Sequence, residues 1–168
     1  MGETALKEGC RMSLETVLPA LALVGFADRV MTFANSSATV ELAAQCVGCQ
    51  PAQIAKTLSF RTDEGAMLVV AAGDAKIDNA KFKATFHRKA AMLTPEEVVT
   101  LLNLRVGGVC PFGVAAPVFL DESLKRFDTV YPAAGDDHSA VRLTPAELEM
   151  ASYAEGWVDV CKGWNEVQ

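Results

Sequence analysis

The sequence predicts an α+β fold on three observations. Two well-separated segments carry the same helix start, Thr94-Pro95-Glu96-Glu97 and Thr144-Pro145-Ala146-Glu147. In each, Thr takes the N-cap, Pro the first helical position, and Glu follows three residues after the cap, so the two side chains satisfy orphan N–H groups reciprocally. Residues 66–72 form a dense apolar run of the kind found in strands buried on both faces. Strands and helices also mix without the regular alternation of a doubly wound parallel sheet.

In chain order, Ser13 is placed to cap a helix through Leu14, Val17, Leu18 and Leu21, kinked or restarted at Pro19. Residues 29–33 have strand character. Thr39 caps a short helix over 40–46, which sets Val40, Ala43, Ala44 and Val47 on one side, and Gly48 ends it. Gln50 and Pro51 start a brief turn of helix, and the chain passes straight into a strand over 55–61. The apolar strand 66–72 follows and closes in a turn at Gly73-Asp74. The two capped helices are expected over 95–103 and 145–154. Between them, 118–120, 129–131 and 140–143 are short and strand-like. The flanks of the two capped segments differ, so they are not a repeat. No linker-like stretch divides the chain, and its 168 residues are read as one domain spanning 1–168.

Composition narrows the function classes. Half of the chain is hydrophobic, 51 %, enough for a substantial core. No apolar run reaches the length of a membrane span, and Leu18 to Phe26 is interrupted by Pro19 and Gly25. The start Met1-Gly2-Glu3-Thr4 lacks the basic stretch and cleavage site of a signal peptide, so the protein is read as cytoplasmic, with no membrane partner. The net charge of −6 argues against a stand-alone nucleic-acid binder. Lys76, Lys81, Lys83, Arg88 and Lys89 nevertheless cluster, either as a solvated face or as a phosphate-contacting patch. Five cysteines make an odd count without a disulfide framework. Cys46-Val47-Gly48-Cys49 is a lone C-x-x-C at the end of a helical pattern, whereas a thioredoxin-like pair opens a helix. The scattered remaining cysteines, with His87 and His138, do not complete a zinc site. No metal and no cofactor are expected.

Chemistry points to a loop. Gly107-Gly108-Val109-Cys110-Pro111-Phe112-Gly113 packs three glycines and a proline into seven residues. Such a loop either makes only a turn or points several backbone N–H groups at one oxygen, as oxyanion sites do. Two further segments stand out: Gln53-Ile54-Ala55-Lys56-Thr57-Leu58-Ser59-Phe60 and Ala134-Gly135-Asp136-Asp137-His138.

The ordered blocks AAQCVGCQPAQIAKTLSF, VVAAGDAKID, LTPEEV, VGGVCPFG and AAGDDHSAVRLTPAEL resemble the YbaK/prolyl-tRNA-synthetase-associated editing family of aminoacyl-tRNA deacylases. The resemblance runs from about Thr39 to Leu148. It implies a mixed-strand, barrel-like sheet flanked by helices, and a pocket for the 3′-terminal adenosine and its esterified amino acid. It implies a trans-editing hydrolase of mischarged aminoacyl-tRNA, of tRNA(Pro) type, whose partners are the aminoacyl-tRNA 3′ end and a prolyl-tRNA or other synthetase. The alternative is a non-catalytic module that binds tRNA ends or a synthetase. Lys56 matches the family's functional lysine, and Gly107 and Gly108, with Val109, Cys110 and Pro111, match its pocket-lining loop. His138 falls where some members carry a histidine that discriminates the amino acid. The chain departs from the free-standing YbaK type. Ala133-Ala134-Gly135 and Ala140 stand where that type has a serine-glycine-glycine stretch and an aspartate, and Cys110 replaces a loop serine, which puts cysteinyl-tRNA specificity in doubt.

In that reading Lys56, Gly107 and Gly108 are the catalytic residues, and Val109, Cys110, Pro111 and His138 bind substrate. The ester is already activated, so placement and charge stabilisation suffice. The loop amides hold the developing oxyanion, and Lys56 supplies positive charge as a compact cation on a flexible stem. His138 is either a hydrogen-bond partner of the substrate or a loop histidine satisfied by backbone. Cys110 lines the pocket rather than attacking, because the sequence assigns it no activating base. Water, or a hydroxyl or thiol of the substrate, is the expected nucleophile.

Overall fold

A computed structural model of the chain describes residues 14–104 and 109–164. Ser13, Gly107 and Gly108 lie outside the described residues. The architecture is α+β; the described residues form a curled, mixed five-stranded half-barrel sheet and five α-helices.

The centre is a hairpin of β2 (Ile54–Thr62) and β3 (Gly65–Ala72), antiparallel from Ala55↔Ala72 to Thr62↔Gly65. Met67 to Ala72 are all buried, as the unbroken apolar run requires of a strand covered on both faces. β5 (Val118–Asp121) runs parallel to β3, β8 (Gly156–Val158) parallel to β5, and the short β6 (Tyr131–Pro132) parallel to β2. Two small antiparallel pairs flank this sheet: β1 (Val30–Thr32) with β7 (Ser139–Val141), and β4 (Lys76–Ile77) with β9 (Cys161–Lys162).

The helices follow their start signals. In α2 (Val40–Val47) the Thr39 hydroxyl accepts from the Leu42 N–H, and Gly48 ends the helix at φ +83°, where only a residue without Cβ sits at ease. In α4 (Pro95–Leu102) and α5 (Pro145–Ser152) both halves of each capping box are made. Helix α1 (Leu14–Leu23) is one continuous helix with Pro19 inside it, not one restarted there. Pro19 is exposed, so its ring is accommodated on the solvent side while Val17 and Leu21 bury at 0 % exposure.

α3 (Asn79–Phe86) has no counterpart in the sequence reading, which saw only the basic cluster there. Asp78 caps it by accepting from the Lys81 N–H, and its one buried residue is Phe82. Phe82 and Phe86 continue an aromatic chain from Phe60 to Phe119, with ring centroids 4.8, 4.8 and 5.0 Å apart. At the other end of the sheet Asp121 is fully buried. It accepts from the N–H groups of Ser123 and Val160, and the Ser123 hydroxyl accepts from the Ala72 N–H. These bonds satisfy the buried carboxylate and tie the C-terminal strands to β3. Among the described residues no helix is long and apolar enough to cross a membrane.

Candidate active site

The edge of β2 that faces away from β3 is covered unevenly. β6 pairs only with Ile54 and Ala55. Coverage resumes at the bridge Phe60↔Met92, where Leu93 N–H donates to the Ser59 carbonyl and Arg61 N–H to the Ala91 carbonyl. Lys56 and Thr57 sit in the gap between.

A cavity of about 230 Å³ opens at that gap. Its walls come from the N-terminal end of α2 and the loop before it (Ser37, Thr39, Val40), from β2 (Lys56, Thr57), and from Val109, Tyr131, Ala133, Ser139 and Ala140. The volume is below the usual range for a drug-sized ligand, so it suits a small group. Most of the wall is small and apolar, and among the described residues that line it there is no carboxylate.

Lys56 is half-buried, and its Nζ donates to the Gly73 carbonyl at 3.4 Å. Burial pulls its pKa below the ordinary lysine value; the nearby acidic groups of Cys161 and Asp74 pull the other way. The carbonyl is fixed because Gly73 packs where no side chain fits: a Cβ there would lie 2.0 Å from the Pro51 carbonyl oxygen and 2.8 Å from Val40 Cγ1.

Val109 and Lys56 meet at this cavity. Cys110 and Pro111 are buried and are not among its lining residues. The Cys110 thiol is in contact with the Phe112 carbonyl at 3.8 Å, and burial pushes its pKa up to about 12. It is therefore a neutral thiol near pH 7. The His138 side chain is exposed and is not among the cavity's lining residues; its Nδ1 lies 2.7 Å from Asp137 Oδ1. Its backbone does positional work, since the carbonyl accepts from the Phe33 N–H while the Asp137 carbonyl accepts from the Ser37 N–H. These bonds dock the loop carrying Ser37 against the loop before β7.

Sequence reasoning missed Ser37, Thr39, Thr57, Tyr131 and Ser139 as cavity residues. Thr57 was within reach, because it follows Lys56 in the same block. Ala133 and Ala140, where the chain departs from the YbaK type, both line the cavity, so those departures make its wall less polar. Cys46 and Cys49 lie at the C-terminal end of α2; the Cys46 thiol contacts the carbonyls of Asn35 and Ser36, and burial raises the Cys49 pKa. A raised pKa is the opposite of what a reactive redox thiol needs.

Residues 34–151 match the model of the aminoacyl-tRNA editing domain. The chain belongs to that family. It is 50 % identical over 157 residues to YwhH of Bacillus subtilis (strain 168), a protein described as uncharacterized, covering 92 % of this chain and all of that one. It is 32 % identical over 88 residues to a proline–tRNA ligase of Thermotoga sp. (strain RQ2), covering 52 % of this chain but only 15 % of the ligase. A crystal structure of a protein provisionally assigned as a trans-editing enzyme for prolyl tRNA synthetase superposes with a TM-score of 0.80 at 33 % identity, covering 89 % of this chain and 97 % of that one. The YbaK-like architecture expected from the sequence is thus the one observed.

Proposed function

We propose that this protein is a trans-acting deacylase that hydrolyses the ester of mischarged aminoacyl-tRNA, of tRNA(Pro) type. The observation that carries the proposal is the Lys56 ammonium, anchored on the Gly73 carbonyl at the mouth of a small cavity in an editing-domain chain. In this reading the cavity takes the acyl group, and Lys56 offsets negative charge that develops on the ester or lies on the terminal nucleotide. Water attacks the ester carbonyl; the carbonyl carbon–oxygen bond to the ribose breaks, and the ribose oxygen leaves with a proton. Gly107 and Gly108 supply backbone N–H groups to the oxyanion in the same proposal.

The phosphates of the tRNA end are assigned to Lys83 and Lys89, which together line a cleft of about 390 Å³ with Asn79, Ala80 and Ala90. Lys81 is held instead by Asp159 and the Cys161 carbonyl, and Arg88 by Asp63. So few cations on a chain of charge −6 leave part of the tRNA selection to a prolyl-tRNA or other synthetase. The competing reading, a non-catalytic module for tRNA ends, draws on that acidity and on the buried, neutral Cys110 thiol. A deacylation assay against tRNA(Pro) charged with a panel of amino acids decides between them. Turnover of at least one mischarged species supports the enzyme, and saturable binding without turnover of any supports the module.

A further inference from the structure

Among the described residues, three buried side-chain polar atoms lack a hydrogen-bond partner: Ser37 Oγ, Thr57 Oγ1 and Trp164 Nε1. Ser37 and Thr57 line the same cavity, the one that holds Lys56. The Thr39 and Ser139 hydroxyls of the same wall are committed to the fold. Thr39 Oγ1 caps α2 at 3.1 Å from the Leu42 nitrogen, and Ser139 Oγ donates to Asp136 Oδ1 at 2.6 Å. More than nine in ten buried polar groups in folded proteins are paired, and leaving one unpaired is destabilising. Two such groups on one small cavity call for a partner that the described residues do not provide.

We infer that Ser37 and Thr57 are specificity-determining residues that bind the side-chain hydroxyl of a seryl- or threonyl-type acyl group; this rests on the deacylase reading above. Each hydroxyl both donates and accepts, which is what a ligand hydroxyl needs and what a cation or an anion uses only by half. The α-ammonium of the substrate is a poor occupant of this wall, because Lys56 shares the cavity. A large side chain is excluded by the volume of about 230 Å³. An apolar ring such as that of a prolyl group would fill the space and leave both hydroxyls unpaired, so the correctly charged ester is penalised on the same contacts. Discrimination of this kind, against a substrate that lacks the hydrogen-bonding group, is far steeper than discrimination by a methylene in an apolar pocket.

The test uses the full chain and tRNA(Pro) acylated with serine, alanine, threonine, valine or proline. Seryl and threonyl esters should be hydrolysed at least about tenfold faster than their alanyl and valyl counterparts, with the prolyl ester spared. Ser37→Ala and Thr57→Val should bring the serine-to-alanine and threonine-to-valine ratios toward one. Thermal melts give a readout independent of activity. Because the hydroxyls have no partner among the described residues, neither variant should melt lower than the parent protein. Equal rates on hydroxyl and non-hydroxyl esters in the parent, ratios unchanged in both variants, or a clear loss of melting temperature in both would each overturn the inference. Hydrolysis of alanyl and valyl esters alone would leave the deacylase standing and this inference refuted, whereas no hydrolysis of any ester would remove both.

Discussion

Lys56 Nζ lies 3.4 Å from the carbonyl oxygen of Gly73. In the hairpin register Lys56 faces Ala71, so its side chain leans along β3 to reach the carbonyl just past the strand's end. Two features of the sequence meet in this contact: a lysine near the head of one strand and a glycine at the turn closing the next. Gly73 is there because nothing larger fits against Pro51 and Val40, and its carbonyl holds the cation at the cavity.

Lys56→Ala should lower single-turnover deacylation by roughly a hundredfold to a thousandfold, the scale of removing one preorganised charge from a reacting ester. The melting temperature should change little, since a half-buried cation adds little packing. A mutant that deacylates at the parent rate removes Lys56 from the mechanism. The pH profile gives a second check. Burial lowers the Lys56 pKa, so its ammonium is lost at a lower pH than an ordinary lysine's. Enzymatic rate, after subtraction of spontaneous ester hydrolysis, should fall on the alkaline side through a pKa below about 10.4.

Gly73→Ala tests the anchor rather than the cation. The new methyl group meets the Pro51 carbonyl at 2.0 Å, a contact that backbone cannot accept without moving. Overpacking of this kind costs about 1–3 kcal/mol, read as a lower midpoint in urea. Deacylation should also drop in the fraction that remains folded, because the Gly73 carbonyl shifts away from Lys56. Unchanged stability and rate would show that the turn yields freely.

Cys110→Ala should keep deacylation within about tenfold of the parent rate, well short of the loss expected on removing a key electrostatic or covalent group. The thiol is fully buried and its pKa is pushed up to about 12, so little thiolate exists at neutral pH. Alkylating reagents should modify it only as fast as the protein opens. A thousandfold loss in the alanine variant, or a trapped acyl-enzyme on this sulfur, would make Cys110 the nucleophile.

Much of this was legible in the sequence because the signals are local. The Thr-Pro-x-Glu boxes define α4 and α5 within a residue or two at the C-terminal ends, and Thr39 and Gly48 bracket α2 by the same chemistry of orphan N–H and C=O groups. α3 was not legible, since its single buried residue, Phe82, gives no apolar period; tertiary packing in the aromatic chain holds it. The strands β8 and β9 are too short to show alternation, and they are set by distant partners, β5 and β4. At the site, Lys56 stood out through its block. Ser37 and Ser139 reach the cavity only because β1 pairs with β7 and the loop carrying Ser37 docks beside that pair, a long-range event that no local pattern records.

Acid should weaken the tie between β2 and α4. Arg61 and the capping-box residue Glu97 form an ion pair with two hydrogen bonds, one of them Arg61 Nε to Glu97 Oε2 at 2.9 Å. That guanidinium, with the Thr94 N–H, takes the Glu97 pKa from 4.5 down to about 2. A carboxyl whose folded pKa is depressed stabilises the fold fully above its unfolded pKa, and loses that contribution as pH falls toward the folded value. Stability of the parent should therefore decline between about 4.5 and about 2 in part through this group. Glu97→Gln should be less stable than the parent at neutral pH, and the difference should shrink as pH falls through that window. A difference independent of pH would show that the carboxylate charge contributes nothing.

Binding of tRNA should be weak and carried by few phosphate contacts. Lys83 and Lys89 flank one cleft, whereas Lys81 is occupied by Asp159 and Arg88 by Asp63. Replacing both Lys83 and Lys89 by Glu should lower tRNA affinity and reduce the dependence of log affinity on log salt by about one for each phosphate left without its lysine. Hydrolysis of a minimal acylated adenosine, which lacks those phosphates, should differ little from that of the parent, because the cleft lies on α3 and the cavity on β2 and α2. Measuring affinity at several salt concentrations, with and without a prolyl-tRNA synthetase, separates the two sources of selection. Tight binding insensitive to salt by the protein alone, or normal binding by the double variant, would place the phosphate contacts elsewhere on the surface.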